Sequence, residues 1–197
     1  MANLQKEPKL VNIYTESNPN PNSLKFVANF LLVGEGESHD FPDRHSAGEA
    51  PLAAELFDNF SFIDRVFYMN NFVTVTKNET LEWDEARLLI SNFIKLYLEE
   101  DKPVLSGEIQ TTPPESREAD SEIVSQIKNV LDEYIKPAVE MDGGAITFES
   151  YNKGVVKVLL QGSCSGCPSS TITLKAGIES LLKRAIPEIE TVVAEGV

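Results

Sequence analysis

Residues 160–182 read LQGSCSGCPSSTITLKAGIESLL, and this stretch sets the organisation of the second half of the chain. It opens with a short loop rich in glycine and serine that carries the chain's two cysteines, Cys164 and Cys167. Pro168 suits the first position of a helix, where a missing N–H costs nothing. Apolar residues then recur at helical spacing. The pattern predicts a loop with a cysteine pair, followed by a helix from Pro168 to about Ala185.

The residues around this stretch predict the rest of a small domain. Alternating patterns favour two strands, Ala145–Tyr151 and Val155–Leu160, before the loop. A helix is predicted from residue 120 to Ile135, where Pro137 should end or kink it. A last strand is expected at Glu188–Ala194. The resulting order is αββαβ.

The first half of the chain shows a second set of strand and helix patterns. Gly34–Gly48 is polar and is predicted to be a loop. The residues Leu89, Ile90, Phe93 and Ile94 are predicted to form the core-facing side of the long helix. The expected order is ββαββα, with strands at Leu10–Tyr14, Leu24–Phe30, Phe62–Tyr68 and Phe72–Thr76 and helices at Pro51–Phe57 and Trp83–Leu98.

Between the halves lies a polar segment with two adjacent prolines and little that can be buried. Such a composition is typical of an exposed, flexible linker. We therefore predict an α+β protein of two small domains, residues 1–105 and 120–197, joined by a linker over residues 106–119.

Composition restricts the classes of partner. Hydrophobic residues make up 42% of the 197 residues, which is enough for packed cores, and the formal net charge is −14. A surface this acidic disfavours nucleic acid and anionic lipid. The sequence lacks an apolar run of membrane-helix length. Since residues 1–14 have neither signal-peptide nor transit-peptide character, a cytoplasmic protein is expected, or a mature chain without its presequence.

The cysteine pair is the strongest candidate for chemistry. Two cysteines three residues apart indicate metal or redox chemistry rather than a disulfide framework. Cys167 is predicted to be the N-cap of the following helix, where the helix dipole favours thiolate over thiol. Gly162 and Gly166 have no side chain to shield the sulfur atoms. Thiolate is the form that binds iron or zinc.

Four interpretations of the pair remain open at this point. The four alternatives are a buried structural pair, a thiol–disulfide oxidoreductase motif, a zinc site and an iron–sulfur site. The redox motif usually belongs to a longer βαβ frame. Zinc needs four ligands, and this half has no histidine, while His39 and His45 lie in the other half and have the character of ordinary surface residues. An iron–sulfur cluster also takes four thiolates, so two chains would have to share it, as a twofold dimer allows.

The second half resembles the NifU-like domain of Nfu proteins, through Met141–Gly144 and the long Leu160–Leu182 run. The first half resembles the Nfu N-terminal domain, through NPNPNSLKF (Asn18–Phe26), DFP (Asp40–Pro42), APLAAELF (Ala50–Phe57) and FVTVTK (Phe72–Lys77). One departure is Lys136, where the family often has arginine.

The resemblance implies a late-acting iron–sulfur assembly factor and not an enzyme. It implies that Cys164 and Cys167 bind a [4Fe-4S] cluster, or alternatively a [2Fe-2S] cluster, between two chains of a homodimer. Upstream scaffold proteins would supply the cluster and apo-enzymes would receive it. The Asn18–Phe26 run has two interpretations, a contact surface or simply a hairpin turn. Asp142 and the following glycines are expected to form a backbone turn.

Overall fold

A computed structural model describes residues 10–107, 122–165 and 168–196. It contains two β-sheets, one of five strands and one of three, with helices packed on them. The α+β class and the division into two domains are confirmed. Residues 108–119 of the predicted linker lie outside the described residues, so its boundaries stay a prediction.

The N-terminal domain is built on an antiparallel five-stranded sheet in the order β1-β2-β5-β4-β3. Asn70, at a φ of 48°, makes the tight turn between β4 and β5, as its tolerance of positive φ predicts. Pro51 starts α1, also as predicted. The elements are β1 (Ile13–Ser17), β2 (Ser23–Ala28), β3 (Ser38–Phe41), α1 (Pro51–Asn59), β4 (Ile63–Met69), β5 (Phe72–Lys77) and α2 (Trp83–Glu99).

The strand β3 was not expected, because the segment was predicted to be a polar loop. It is only four residues long, and it pairs with β4 at the edge of the sheet. Both His39 and Phe41 are buried there. Tertiary pairing therefore overrides a weak local preference. The prediction that His39 is an ordinary surface residue is wrong.

The main core of this domain lies between one face of the sheet and the helices α1 and α2. Ile90 and Ile94 are fully buried in it, and Phe93 packs at its margin. Leu89 is 53% exposed, which corrects its predicted place in the core. Its neighbour Leu88 is also exposed, so the buried stripe of α2 is narrower than the apolar pattern.

The C-terminal domain has the predicted αββαβ order with a small sheet β6-β7-β8. β6 and β7 form an antiparallel hairpin, and α5 then crosses to β8, which runs parallel to β7. Its core includes Val156, Val158 and Leu160 of β7. The elements are α3 (Glu122–Val130), α4 (Lys136–Met141), β6 (Gly144–Asn152), β7 (Val155–Gly162), α5 (Pro168–Ala185) and β8 (Thr191–Gly196).

The proline in the first helical region does not end it. A π-helical stretch, Leu131–Ile135, follows α3 and leads directly into α4, which contains Pro137. Proline removes a helical hydrogen bond and crowds the carbonyl four residues earlier, at Glu133. The wider π turn lies just there, so the chain accommodates the proline and stays helical to Met141.

The second face of the N-terminal sheet packs against the C-terminal domain. Val27, Phe67, Met69 and Phe72 from this face form a small buried cluster with Ala145 of β6. The sequence alone left the relative position of the domains undetermined. The cluster places the start of β6 and the end of β7 against the middle of the larger sheet.

Candidate functional site

Cys164 lies in the loop that joins β7 to α5, which we call the cysteine loop (residues 162–167, of which 162–165 are described). The chain leaves β7 at Gly162 with a φ of 64°, a conformation that favours glycine. Cys164 is 7% exposed. The predicted second site residue, Cys167, lies outside the described residues, so the structure leaves the pairing of the two thiols a prediction.

The turn at Asp142 and Gly143 supports the cysteine loop from below. Gly143 has a φ of 77°, and its carbonyl accepts a hydrogen bond from the Ser163 N–H at 3.3 Å. The Ser163 hydroxyl donates to the carbonyl of Asp142 and lies 3.8 Å from the Cys164 sulfur. These contacts confirm the expectation of a backbone turn at Asp142.

Gly144 makes room for the sulfur atom. A Cβ atom at this position would lie 2.9 Å from the Cys164 Sγ and 2.6 Å from the Gln161 carbonyl oxygen. Any larger residue would displace the thiol or the strand. The Met141–Gly144 motif therefore shapes the space in which Cys164 sits.

The helix α5 begins at Pro168, directly after the cysteine loop, as predicted. The positive end of an 18-residue helix therefore follows the second cysteine in the sequence. Lys183 and Arg184 lie in the last turn of α5, at the opposite end, and Lys183 pairs with Glu179 at 2.6 Å. Among the residues in the described ranges, no cluster of three or more His, Cys, Asp or Glu side chains could hold a metal ion.

The N-terminal domain contributes to the surroundings of Cys164. The turn Asn18–Ser23 is held by its own side chains, since Asn18 Oδ1 accepts from the Asn20 N–H and from the Ser23 hydroxyl. Asn20 Nδ2 donates to the Ser163 carbonyl at 3.0 Å. A pocket of about 370 Å³ opens beside the thiol, lined by Pro19, Asn20, Asp142, Ser163, Cys164, Thr173 and Leu174. The turn is therefore a hairpin connection, and its Asn20 also contacts the cysteine loop of the same chain; a contact surface for other proteins stays a prediction.

A buried ion pair also reaches the cysteine loop. Asp40 on β3 receives a 2.6 Å contact from Arg65 and accepts a 3.3 Å hydrogen bond from the Gly162 N–H. Burial raises the pKa of Asp40, and the charge of Arg65 and the Gly162 N–H oppose that rise. Sequence reasoning did not find this contact. Its only signal was Asp40 in the DFP motif, far from the cysteines along the chain.

A second carboxyl group lies at the pocket itself. Burial raises the pKa of Asp142, and the positive charge of Lys25 from the N-terminal domain acts against this rise. Lys25 also pairs with Glu16 at 3.0 Å. Groups from both domains therefore set the electrostatic surroundings of the cysteine loop.

Comparison with known proteins identifies both domains. Residues 127–193 match the NifU-like domain, and residues 13–101 match the family described as scaffold protein Nfu/NifU N terminal. The chain belongs to the NifU-like (Nfu) family. The two matched ranges lie within the two predicted domains and together include most of the chain.

Relatives of this family from fruit flies are similar over most of the chain. Proteins named NFU1 iron-sulfur cluster scaffold homolog, mitochondrial, are 41% identical in Drosophila grimshawi and 40% in Drosophila ananassae, over 91% of this chain. The alignments cover 60% and 63% of those relatives, so this chain spans less than two thirds of their length.

A solved structure, the solution NMR structure of a NifU-like protein from Saccharomyces cerevisiae, matches with 21% identity and a TM-score of 0.47. The match covers 55% of this chain and 95% of the yeast one.

The names of the relatives correct one expectation. They are mitochondrial proteins, so the predicted cytoplasmic location is wrong. The prediction depended on the composition of residues 1–14, which is not a reliable guide to the compartment of a family member. Within the described parts of the chain, no helix is both long and apolar enough to cross a membrane.

Proposed function

We propose that this protein is an iron–sulfur cluster scaffold and carrier that binds a [4Fe-4S] cluster between two copies of the chain and transfers it to apo-proteins. The cluster is cargo, and the protein is not an enzyme. The observation that carries the proposal is the position of Cys164, in a glycine-rich loop before α5 in a domain of the NifU-like family. Relatives that are about 41% identical are named cluster scaffolds, which supports the same role here.

The number of ligands requires two chains. A cluster of this kind is held by four cysteine thiolates, and each chain has two cysteines, Cys164 and Cys167. A twofold dimer brings the same loop from both chains to one axis. Four thiolates can then surround one cluster.

The residues around Cys164 suit a cluster that is held and released. The backbone turn at Gly143 and the hydrogen bonds of Ser163 fix the start of the loop. The first turn of a helix has N–H groups without intrahelical partners and a positive dipole end, and both favour the thiolate form that iron requires. A carrier needs a site of defined shape that opens to the solvent, and Cys164, although only 7% exposed, lies beside an open pocket of about 370 Å³.

The direct test is anaerobic reconstitution of the full chain with iron and sulfide. The protein is expected to take up about four iron and four sulfide per two chains and to activate an apo-protein that requires a [4Fe-4S] cluster. Cys164→Ala should reduce bound iron to background, whereas Ser150→Ala, at an exposed position on β6, should bind as the original chain does. Full iron binding by Cys164→Ala would contradict the proposal.

The same samples separate the alternative function. A thiol–disulfide oxidoreductase would reduce insulin disulfides in the absence of iron, using Cys164 and Cys167. The proposal predicts no such turnover above the rate of free dithiol. Iron-independent turnover together with no cluster uptake would favour the redox function instead.

A further inference from the structure

We propose that the N-terminal domain and a second copy of the chain compete for the same surface, the cysteine loop of the NifU-like domain. In this structure, which we call the closed arrangement, the N-terminal domain covers the described part of this loop, residues 162–165. A shared cluster requires the loop to be uncovered so that a partner chain can approach. The second half of this inference depends on the proposed function, whereas the closed interface is a property of the iron-free chain.

Three buried side chains of the N-terminal domain make hydrogen bonds to backbone groups of the cysteine loop or of the neighbouring turn at Gly143. Asn20 Nδ2 donates to the Ser163 carbonyl at 3.0 Å, and the Thr74 hydroxyl donates to the Gly143 carbonyl at 2.8 Å. Asp40 accepts from the Gly162 N–H at 3.3 Å. Asn20 and Thr74 are 4% and 1% exposed. Buried polar groups in a specific interface are paired in this way, because an unpaired one destabilises the contact.

At two glycines the backbone of the NifU-like domain also lies close to side chains of the N-terminal domain. A Cβ atom on Gly162 would lie 2.8 Å from the Phe67 ring, and one on Gly143 would lie 2.8 Å from the Thr74 hydroxyl. Phe67 also belongs to the buried apolar cluster that joins the two domains, formed by Val27, Phe67, Met69, Phe72 and Ala145. Shape, apolar burial and hydrogen bonds therefore agree, as they do in a packed interface.

This interface lies at the thiol itself. Asn20 and Pro19 line the same pocket as Cys164, and the thiol is 7% exposed. Two copies of Cys164 can bind one cluster only if both loops face the shared axis. In each closed chain the Asn18–Ser23 turn occupies the space beside that chain's own Cys164. The closed arrangement and the sharing of a cluster therefore exclude each other. The larger the fraction of chains in the closed arrangement, the lower the apparent affinity for the cluster.

The first test measures the reactivity of Cys164 toward iodoacetamide in iron-free protein. All variants carry Cys167→Ser, so that the reaction reports one thiol. Thr74→Val removes an interdomain hydrogen bond and should raise the alkylation rate about tenfold, the change that loss of one buried hydrogen bond gives. The control is Thr76→Val on the same strand, whose buried hydroxyl has no hydrogen-bond partner among the described residues. It should change the rate by less than about twofold.

A second variant protects the test against misfolding. Asn20→Ala removes a different hydrogen bond of the same interface and should also raise the rate, while circular dichroism confirms that the fold is kept. If both Thr74→Val and Asn20→Ala react at the rate of Thr76→Val, the closed interface does not protect the thiol and the inference is wrong.

The last arm measures cluster uptake in chains that keep both cysteines. Thr74→Val should form the cluster-bound dimer at a lower protein concentration than Thr76→Val. If no variant binds a cluster, the proposed function fails, while the alkylation rates still report on the interface. If all variants bind equally well and alkylate equally fast, the proposed function stands and the competition does not.

Discussion

The central strands of the two sheets differ in what covers them. β5 in the N-terminal sheet is buried on both faces, with Val73 and Val75 in the main core and Phe72 and Thr74 toward the other domain. β7 in the smaller sheet alternates, with every second residue in its core and the others partly exposed. The N-terminal sheet thus has a core face and an interface face.

The difference separates stability from chemistry. The main core of the N-terminal domain contains no cysteine. Most of the buried residues in this core come from α1, α2 and one face of the sheet. The NifU-like domain has a smaller core, and Cys164 is its most exposed buried member, at 7%. A domain of about 75 residues is close to the lower size at which a core alone suffices. We infer that contact with the larger domain helps to hold Gly162 and Ser163 in place.

The largest expected effects on stability come from substitutions that shorten a buried side chain in each of the two cores. Leu160→Ala in β7 and Ile90→Ala in α2 should each lower the free energy of unfolding by about 2–5 kcal/mol, because both side chains are fully buried. Hydrogen exchange with mass spectrometry should show faster exchange in β6 and β7 for Leu160→Ala. The amides of β2 and β5 should stay protected.

The matching result is expected for Ile90→Ala, with faster exchange in β2 and β5. Equal acceleration across both sheets in either variant would mean that the two cores unfold as one unit. The comparison between them would then fail.

A smaller effect is expected from a pair of glycine variants, one at the interface between the two domains and one on an exposed helix surface. Gly162→Ala places a side chain at a φ of 64° and against Phe67, and it should destabilise by at least about 1–2 kcal/mol. Gly177→Ala lies in α5, where nothing is within 4 Å, and it should stabilise by roughly 0.5–1 kcal/mol. Thermal unfolding measures both. Equal effects of the two variants would show that the interface between the two domains is not tightly packed.

The smallest effect concerns the link between α5 and β8. Hydrogen bonds from Lys183, from the Val192 N–H and from Thr191 lower the pKa of Glu179 from 4.5 to about 2. A carboxyl group with a lowered pKa stabilises the fold above its unfolded-state pKa and loses this effect as pH falls from about 4.5 toward about 2.

Glu179→Gln should therefore melt at a lower temperature than the original chain at neutral pH. Its melting temperature should also fall less steeply on acidification through this window. Glu149→Gln, on the exposed part of β6, controls for the loss of one negative charge. Parallel pH profiles for Glu179→Gln and the original chain would refute the assigned link.

Local sequence patterns were sufficient for most elements and for the cysteine loop. The helical spacing after Pro168 and the Asn70 turn both report on neighbours in the chain, and they predict α5 and the β4–β5 hairpin. β3 was missed because pairing with β4, rather than its own composition, makes it a strand. The π-helical stretch Leu131–Ile135 lets the helix continue past Pro137. The expectation that a proline ends or kinks a helix does not include this possibility.

The interface was not predictable for a different reason. Asn20 and Ser163 are 143 residues apart, and the Asn-Pro run predicts a turn but not what the turn touches. Likewise, Asp40 lies within the segment predicted to be a polar loop, although its side chain is buried against Arg65 and Gly162. Contacts of this kind depend on how two finished domains meet.

The most direct test of the shared site is the molar mass and the iron content of one anaerobically reconstituted sample, measured by light scattering and by metal analysis. The shared-ligand account predicts that all cluster-bound protein has the mass of two chains, with about four iron per pair. A cluster-loaded single chain with a full complement of iron would contradict it.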